Sequence, residues 1–437
     1  MSLTAPHYRS TRARGGEGIS FREALLSGLA PDGGLYLPTR IPPLTGLWES
    51  ADEFPELALR ALTPWLADEV PVEVLEPLIK EALAFPVPVV PLADELFILE
   101  LFHGPTLSFK DFGARVMARL MSYFLLKSGR QLTILVATSG DTGSAVADGF
   151  AAQTNIRVVL LYPQGRISDV QQRQLIVSRP GVEAYAVKGT FDDCQRLVKE
   201  AFTDPGLSRL ALSSANSINI GRLLPQSLYY LWGARQLWRQ LGQGEKSLII
   251  CVPSGNLGNL TGGVLATRMG LPVRRFLAAH NANDYFPSYL ERRVKAYDFR
   301  PTIATISNAM DVGAPSNFER LDALLDDDIR ELVWSTSVSD EVTRERMRIT
   351  FEETGYLACP HTAVGLETLA RYRAATGEKG PALVLATAHP AKFPQVATEV
   401  LGGQPPTHPE LEALRSRPTR VHSLEPTLAA LREALVR

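Results

Sequence analysis

Hydrophobic residues recur at helical spacing in the first part of this 437-residue chain, up to about Pro91. The segments PELALRALTPWLADEV and VEVLEPLIKEALAF show this spacing most clearly. Ser20, followed three positions later by Glu23, forms a capping box ahead of the first helix. The pattern therefore predicts a helical N-terminal extension over residues 1–90, and the proline-dense segment FPVPVVP marks its end.

After this extension, short continuous apolar runs alternate with segments of helical spacing. The runs are LFILEL, LTILVA, IRVVLLY, VEAYAV, SLIICV, VRRFLAA and ALVLAT. Continuous runs rich in β-branched residues are typical of parallel strands that are buried on both faces. The sequence therefore predicts an α/β protein with two sheets.

Composition narrows the possible functions only by exclusion. The 45 Lys and Arg residues nearly balance the 47 Asp and Glu residues, so the chain has no global field that would attract nucleic acid or an anionic membrane. Cys194, Cys251 and Cys359 are far apart, which fits neither a disulfide framework nor a metal cluster and favours a reducing cytoplasm. The N-terminus does not resemble a secretory signal, and no apolar stretch is long enough to span a bilayer.

Lys110 is unusual because it lies within the small and apolar residues of HGPTLSFKDFG, at the start of a predicted helix. Lysine is rarely fully buried unless another group pairs with it, so this side chain either extends its charged end to water or is held for chemistry. A solvated ion pair with the adjacent Asp111 is the plain alternative.

The loop VATSGDTGSA follows a predicted strand and leads into a helix. Gly140 and Gly143 allow tight turns, and Thr138, Ser139 and Thr142 supply hydroxyl groups, so backbone N–H groups can converge on an anion such as a carboxylate. A capped strand-to-helix turn explains this loop equally well.

The loop VPSGNLGNLTGG also lies between a predicted strand and a helix. Gly255, Asn256, Gly258 and Asn259 all tolerate left-handed backbone conformations, and a nest of amides of this kind binds a phosphate group. The loop is neither the dinucleotide fingerprint nor a P-loop. We therefore interpret it as a phosphate cradle in preference to a glycine-rich turn that only packs against a sheet.

A third segment, NSINIGRLLPQ, contains Asn216, Ser217, Asn219 and Arg222. An arginine side chain can bind a phosphate through two parallel hydrogen bonds. Taken alone, the segment is more typical of a capped helix start than of a binding site.

A lysine, an anion loop and a phosphate cradle together suit pyridoxal phosphate, which needs a lysine for its Schiff base and a site for its phosphate. The motifs resemble the threonine synthase family of pyridoxal-phosphate enzymes, in the long form with an N-terminal extension. The motifs that carry the resemblance occur in this order: DGGLYLP, LFHGPTLSFKDFG, ATSGDTG, SSANSIN, PSGNLGNLTGG, SNAMDVGAPSN and TAHPAKF.

The resemblance implies fold type II, the tryptophan-synthase-β-like fold with two lobes that each contain a parallel sheet. It places the lobes in residues 91–260, with the small lobe inserted at roughly 110–215. Residues 261–437 complete the large lobe and add C-terminal helices.

The resemblance also implies roles for individual residues. Lys110 would carry the cofactor through a Schiff base and act as the main general base and acid. Thr387 would bond the pyridine nitrogen, and Asp141, where many relatives have Asn, would lie near the cofactor's 3'-oxygen. The cofactor phosphate would be held by Ser254, Gly255, Asn256, Leu257, Gly258 and Asn259.

By the same resemblance, the reaction converts O-phospho-L-homoserine and water into L-threonine and phosphate. The substrate carboxylate would be bound by Thr138, Ser139, Gly140 and Thr142, and its phosphate by Asn216, Ser217 and Arg222. Two alternatives stay open: a phospholyase or dehydratase acting on another amino acid, and a non-catalytic relative.

The sequence says less about oligomeric state, metal content and the roles of three histidines. A monomer and a homodimer are both compatible with the sequence, and no metal is expected. We assign His103 a structural role or one behind the site, whereas the pattern does not decide the roles of His361 and His389.

Overall fold

The computed structural model describes residues 4–44, 46, 50–242, 247–325 and 328–436. The helical spacing at the start of the chain forms α1, α2 and α3, at Phe21–Ser27, Phe54–Leu66 and Val72–Ala82. The predicted capping box is confirmed, because the Ser20 side chain accepts a bond from Glu23 N–H and the Glu23 carboxylate accepts one from Ser20 N–H. The extension is not wholly helical, since β1 (Tyr8–Ser10) and β2 (Tyr36–Pro38) form an antiparallel pair.

Among the described residues, the larger sheet has six strands in the order β11-β10-β9-β12-β4-β3. All neighbouring strands are parallel except β3 and β4. The strands are β3 (Val89–Ala93), β4 (Leu96–Glu100), β9 (Leu248–Pro253), β10 (Val273–His280), β11 (Val333–Ser337) and β12 (Ala382–Ala386).

The smaller sheet has five parallel strands within the described part of the chain, in the order β13-β7-β6-β5-β8. They are β5 (Leu132–Ala137), β6 (Ile156–Pro163), β7 (Val182–Val187), β8 (Leu212–Ser213) and β13 (His422–Leu424). The C-terminal part of the chain therefore returns to complete the edge of the smaller sheet.

Helices connect and cover both sheets. They are α4 (Lys110–Ser128), α5 (Asp141–Phe150), α6 (Asp169–Ile176), α7 (Phe191–Thr203), α8 (Ile220–Leu223), α9 (Gln226–Leu241), α10 (Gly258–Arg268), α11 (Tyr285–Leu290), α12 (Phe318–Leu325), α13 (Ile329–Leu332), α14 (Asp340–Thr354), α15 (Pro360–Thr376), α16 (Pro394–Leu401), α17 (Pro409–Arg415) and α18 (Leu428–Val436). In the part of the chain that the structure describes, no helix has the length and apolar character needed to cross a bilayer.

All the apolar runs that predict strands do form strands. The proline-dense segment FPVPVVP, in contrast, is not only a boundary, because part of it forms the edge strand β3. Pro91 lacks an N–H group and is therefore tolerated at the edge of a sheet but not at its centre.

The sheet topology brings the candidate residues together. The loop after β5 leads into α5, the loop after β9 leads into α10, and Thr387 follows β12 directly. In open α/β sheets, ligands bind beyond the carboxyl ends of the strands, where these loops lie. Lys110 joins them because Phe109 N–H donates to the Thr387 carbonyl at 2.9 Å.

Aromatic packing fixes the helix that begins at Lys110. Phe112 is fully buried, and its ring lies edge-on to those of Phe54, Phe85 and Tyr229 at centroid distances of 5.6, 5.0 and 5.1 Å. Such pairs stabilise a fold by about 0.5–1.5 kcal/mol beyond the burial of their area. The N-terminal extension and α9 therefore both hold α4 in position.

Candidate active site

A cavity of about 1280 Å³ contains Lys110 and residues from all three candidate loops. Of the predicted site residues, only Gly140 does not line it. The predicted residues that line the cavity are Lys110, Thr138, Ser139, Asp141, Thr142, Asn216, Ser217, Arg222, Ser254, Gly255, Asn256, Leu257, Gly258, Asn259 and Thr387.

Lys110 turns its side chain toward this cavity, and the side chain is only 14% exposed. Its Nζ atom lies 4.6 Å from the centre of the Phe109 ring and 4.0 Å from Asp141 Oδ2. Burial disfavours the charged amine and lowers the pKa of Lys110 to about 8. A larger fraction of the neutral amine, which is the nucleophilic form, is therefore present near neutral pH than for a solvated lysine.

The alternative pairing of Lys110 with Asp111 does not occur among the described contacts. Asp111 is fully buried and accepts hydrogen bonds from the N–H and hydroxyl groups of Thr106, at 2.9 and 2.6 Å. Burial raises the pKa of Asp111 to about 6. Asp111 thus holds the turn before α4 and leaves Lys110 facing the cavity.

Asp141 is the acidic group nearest to Lys110 among the described ion pairs, and it has a second cationic neighbour. Lys392 Nζ lies 2.8 Å from Asp141 Oδ1, and both side chains are almost fully buried. Burial alone would raise the pKa of Asp141, but Lys392 and Lys110 together hold it well below its usual range. The site therefore contains a buried carboxylate anion between two lysines.

The loop after β5 presents backbone donors to the cavity. Thr138 Oγ1 accepts from Gly140 N–H at 3.0 Å and from Gly143 N–H at 2.8 Å, so this hydroxyl also shapes the loop. Gly140 has φ +137°, and a β-carbon there would lie 2.7 Å from the Gln171 side chain, so only glycine fits. Because Gly143 N–H is engaged by Thr138, the N–H groups of Asp141 and Thr142 are the ones in the first turn of α5 that can bind an anion.

The loop after β9 forms a second anion site at the start of α10. Leu257 adopts a left-handed conformation with φ +60°, which is uncommon outside glycine and costs energy. The Asn256 side-chain amide fixes the loop through both of its polar atoms. Its Nδ2 atom donates to Ser217 Oγ at 2.5 Å, and its Oδ1 atom accepts from Ser316 N–H at 2.5 Å. The free N–H groups of the first helical turn therefore surround a preformed cradle.

The Asn259 side chain contributes an unpaired buried donor to this region. Its Oδ1 atom accepts from the hydroxyl groups of Tyr229 and Tyr230, at 2.6 and 2.7 Å. Its Nδ2 atom is buried and has no partner among the described residues. An unpaired buried donor is costly, which indicates that a ligand or water completes this site.

Arg222 is a buried cation without a carboxylate partner among the described residues. The residue is 3% exposed, one Nη atom donates to the Ala215 carbonyl at 2.9 Å, and its Nε atom is unpaired. Burial lowers the pKa of Arg222 to about 10, so the side chain stays charged at neutral pH. A buried charge without a counter-charge is unfavourable, so Arg222 favours binding of an anion in the cavity.

Asn219, which the sequence groups with Arg222, has a structural role. Its amide donates to the carbonyl groups of Leu25 and Ser214, at 2.8 and 3.0 Å, and its Oδ1 accepts from Gly221 N–H at 2.9 Å. The predicted helix cap is confirmed for this residue.

The histidines divide between the site and its surroundings. His361 lines the cavity and accepts from Ala309 N–H at 3.2 Å, and burial lowers its pKa to about 4, so the ring is neutral. His103 pairs with Glu100 at 2.7 Å, and His389 caps the turn that follows it by accepting from Ala391 N–H. Of these three histidines, His361 is the one that lines the cavity and can face a ligand.

Pyridoxal phosphate fits the residues that are present. The cavity offers one amine at Lys110, a hydroxyl at Thr387 beside it, and the cradle at Gly258 with the orphaned Asn259 amide. Thr387 lines the same cavity as Lys110, so its hydroxyl can bond a ring nitrogen there. Among the described residues, no group of His, Cys, Asp or Glu side chains is placed to hold a metal ion.

Sequence reasoning missed several residues that shape the site. Lys392, Gln171 and the pair Tyr229 and Tyr230 all contact predicted site residues. Lys392 carries a signal like that of Lys110, because it follows a buried strand within the motif TAHPAKF. The others lie in ordinary helix patterns without such a signal.

Comparison with known proteins gives consistent matches along the chain. Residues 85–388 match the family model described as pyridoxal-phosphate dependent enzyme, residues 7–83 match threonine synthase N terminus, and residues 362–435 match threonine synthase, C-terminal. Threonine synthase of Escherichia coli strain K12 is 42% identical over 430 residues, which cover 96% of this chain and 97% of that protein.

Solved structures agree with these matches. The crystal structure of threonine synthase from Escherichia coli has a TM-score of 0.89 at 40% identity, covering 98% of this chain and 99% of that one. The structure of PLP-bound threonine synthase from Brucella melitensis has a TM-score of 0.90 at 36% identity and covers 99% of both chains.

Proposed function

Because the chain belongs to the threonine synthase family and forms threonine with pyridoxal phosphate as its cofactor, we propose that its substrate is O-phospho-L-homoserine and that Lys110 is its catalytic residue. One observation carries the choice of substrate. The cavity contains an unpaired buried cation, Arg222, in addition to the cradle at Gly258. The cradle can take the cofactor phosphate and the first turn of α5 can take a substrate carboxylate, so the Arg222 cation calls for one further anion.

The proposed roles of the anion sites follow from their positions. The cradle from Ser254 to Asn259 holds the cofactor phosphate through backbone N–H groups and the dipole of α10. The first turn of α5 binds the substrate carboxylate in the same way, with Ser139 and Thr142 adding hydroxyl groups. Arg222, together with Asn216 and Ser217, binds the substrate phosphate. Three anion sites in one cavity orient a substrate that has a negative group at each end.

Lys110 moves the protons of the reaction. When bound, pyridoxal phosphate supplies an electron sink that stabilises negative charge on the substrate carbons. The Lys110 amine holds the cofactor and, once the substrate amine displaces it, removes the proton from Cα. A proton is also lost from Cβ as the bond between Cγ and the phosphate oxygen breaks, with its electron pair leaving on the phosphate. Water then adds its hydroxyl group to Cβ and gives up its other proton to the phosphate. Protons return to Cγ and Cα, so that threonine and phosphate are the products.

Thr387 limits the chemistry at the ring nitrogen. A hydroxyl group carries no charge, so it bonds the nitrogen without forcing it to become protonated. This favours elimination and addition at Cβ and Cγ over transamination. Thr387 is held in place because its own carbonyl accepts a bond from Phe109 N–H, next to Lys110.

A cytoplasmic location also belongs to this proposal. Cys194, Cys251 and Cys359 are buried and unpaired, which suits a reducing compartment.

The test is to incubate the cofactor-loaded protein with O-phospho-L-homoserine and to quantify threonine and phosphate in the same samples. The proposal expects equal amounts of both products, and neither product from Lys110→Ala. Phosphate with a 2-oxo acid in place of threonine would identify a phospholyase and overturn the proposed reaction. Absence of both products, with cofactor bound, would overturn the proposed substrate.

A further inference from the structure

Lys392 is a fully buried lysine that does not line the cavity. It ends the short turn Pro390–Lys392, which follows β12 and Thr387. Its Nζ atom donates to Asp141 Oδ1 and to the Thr106 carbonyl, each at 2.8 Å. Full burial of a lysine is rare, and it persists only where other groups satisfy the charge.

Asp141 therefore lies between two amines that differ in position. Lys392 contacts one carboxylate oxygen directly, whereas Lys110 lies 4.0 Å from the other oxygen and faces the cavity. Gln171 also donates to Asp141 Oδ1, at 3.2 Å. The oxygen nearer to Lys392 is thus fully engaged, and the carboxylate is held away from hydrogen-bond distance of Lys110.

This arrangement affects Lys110 in two ways. A buried carboxylate beside an amine favours the protonated amine, which is not nucleophilic. The Lys392 cation compensates the charge of Asp141 and also repels a proton on Lys110. Both effects leave more of the Lys110 amine in its neutral form.

We propose that Lys392 is a positioning residue for Lys110: by binding Asp141, it keeps that carboxylate from closing its 4.0 Å separation from the Lys110 amine to a direct hydrogen bond. This inference rests on the proposed function, because it assumes that the Lys110 amine must be free to bond the cofactor. It extends that function by assigning a role to a lysine that never touches the cavity.

The other charged groups around Lys110 do not neutralise the Asp141 carboxylate as Lys392 does. Asp111 favours the protonated amine, but Thr106 engages both of its oxygens. Arg222 opposes protonation from α8, and His361 is neutral because it is buried. Among these groups, Lys392 is the one in direct contact with the carboxylate nearest to Lys110.

The test measures the protonation of Lys110 directly. Full-length protein freed of cofactor, with carbon-13 at the lysine ε-position, is titrated by NMR, and the Lys110 signal is identified by its loss in Lys110→Ala. In Lys392→Met we expect the Lys110 midpoint to rise by at least about one pH unit, which is about a tenfold loss of neutral amine at pH 7. Lys392→Arg should restore the midpoint, because it keeps the charge.

Two further variants serve as controls for the titration. Lys188→Met removes a lysine from an exposed pair with Glu425 and should leave the Lys110 midpoint unchanged. The double variant Lys392→Met with Asp141→Asn removes both buried charges, so it avoids an unpaired charge and should fold. Its Lys110 midpoint should lie at or below that of the unmodified chain, even if the single variant does not fold.

The results separate this inference from the proposed function. An unchanged midpoint in folded Lys392→Met, or a raised midpoint in the double variant, would overturn the role of Lys392 alone. Threonine formation that persists in Lys110→Ala would overturn the proposed function, whatever the titration shows.

Discussion

A β-carbon at Gly255 would lie 2.7 Å from the Cα atom of Met310, so the two backbones pack together with no room for a side chain. Met310 ends the short helix Asn308–Met310 and lines the cavity with Gly255. This contact joins the proposed cofactor-phosphate cradle to the segment SNAMDVGAPSN. The shape of the cradle therefore depends on the absence of a side chain at position 255.

We expect Gly255→Ala to weaken cofactor binding. The added methyl group must displace the Met310 backbone or the loop itself, and overpacking of this kind typically costs about 1–3 kcal/mol. The measurement is the dissociation constant of pyridoxal phosphate, from the absorbance of the bound cofactor. Gly403→Ala is the matched control, because nothing lies within 4 Å of a β-carbon there. Equal affinity in the two variants would contradict the proposed cradle.

Arg222→Gln should raise the KM for O-phospho-L-homoserine. Loss of a charge-assisted hydrogen bond to the substrate phosphate costs about 1.5–3 kcal/mol, which corresponds to roughly 10- to 150-fold. Steady-state kinetics provide the measurement. The exposed Arg166 supplies the control variant Arg166→Gln, for which we expect unchanged kinetics. A normal KM in Arg222→Gln would place the substrate phosphate elsewhere.

The rate of cofactor uptake should increase with pH, reach half of its maximum near pH 8 and level off about one pH unit higher. The lowered pKa of Lys110, about 8, means that the neutral amine is scarce below that pH and predominates above it. A solvated lysine would still gain neutral amine up to about pH 10. Stopped-flow absorbance on cofactor-free protein measures this profile, and a rate that continues to rise to pH 10 would contradict it.

Thr387→Asp should reduce threonine formation and increase side reactions that require a protonated ring. A carboxylate in place of the hydroxyl would favour protonation of the ring nitrogen and strengthen the electron sink. Thr387→Ser keeps a hydroxyl and should retain most of the activity. Product analysis by chromatography distinguishes the variants. If Thr387→Asp formed threonine as cleanly as Thr387→Ser, a direct role at the nitrogen would be excluded.

Asn219→Ala should destabilise the fold. The substitution leaves the buried carbonyl groups of Leu25 and Ser214 without the donors that now reach them. An unsatisfied buried polar group costs about 1–3 kcal/mol. Urea denaturation gives the change in the free energy of unfolding, and Asn155→Ala, at a partly exposed turn, serves as the control. A loss below 0.5 kcal/mol, on the order of an ordinary surface substitution, would contradict the structural role of Asn219.

Much of the fold could be predicted because buried parallel strands leave continuous apolar runs in the sequence. The strands that escaped prediction lack such runs: β8 has two residues, β1, β2 and β13 have three each, and β11 reads VWSTS. They are specified by neighbouring strands and not by their own sequence. The same holds for β3, whose Pro91 is compatible with its edge position only.

The residues of the candidate site also fall into those that a local sequence pattern predicts and those that only tertiary packing brings to the site. Lys110 and the glycine-rich loops were predictable because each is a local pattern at a strand-to-helix junction. The contact of Lys392 with Asp141 joins residues that are more than two hundred positions apart in the chain, and only packing brings them together. The contacts of Tyr229 and Tyr230 with Asn259 likewise depend on the packing of α9 against α10.

The most direct test of the account is to find the residue that bonds the cofactor. The cofactor-loaded protein is reduced with borohydride, digested and analysed by mass spectrometry. We predict that the pyridoxyl group is on the peptide that contains Lys110 and on no other lysine. A pyridoxyl group on Lys392 or on any other lysine, with Lys110 unmodified, would contradict the central claim.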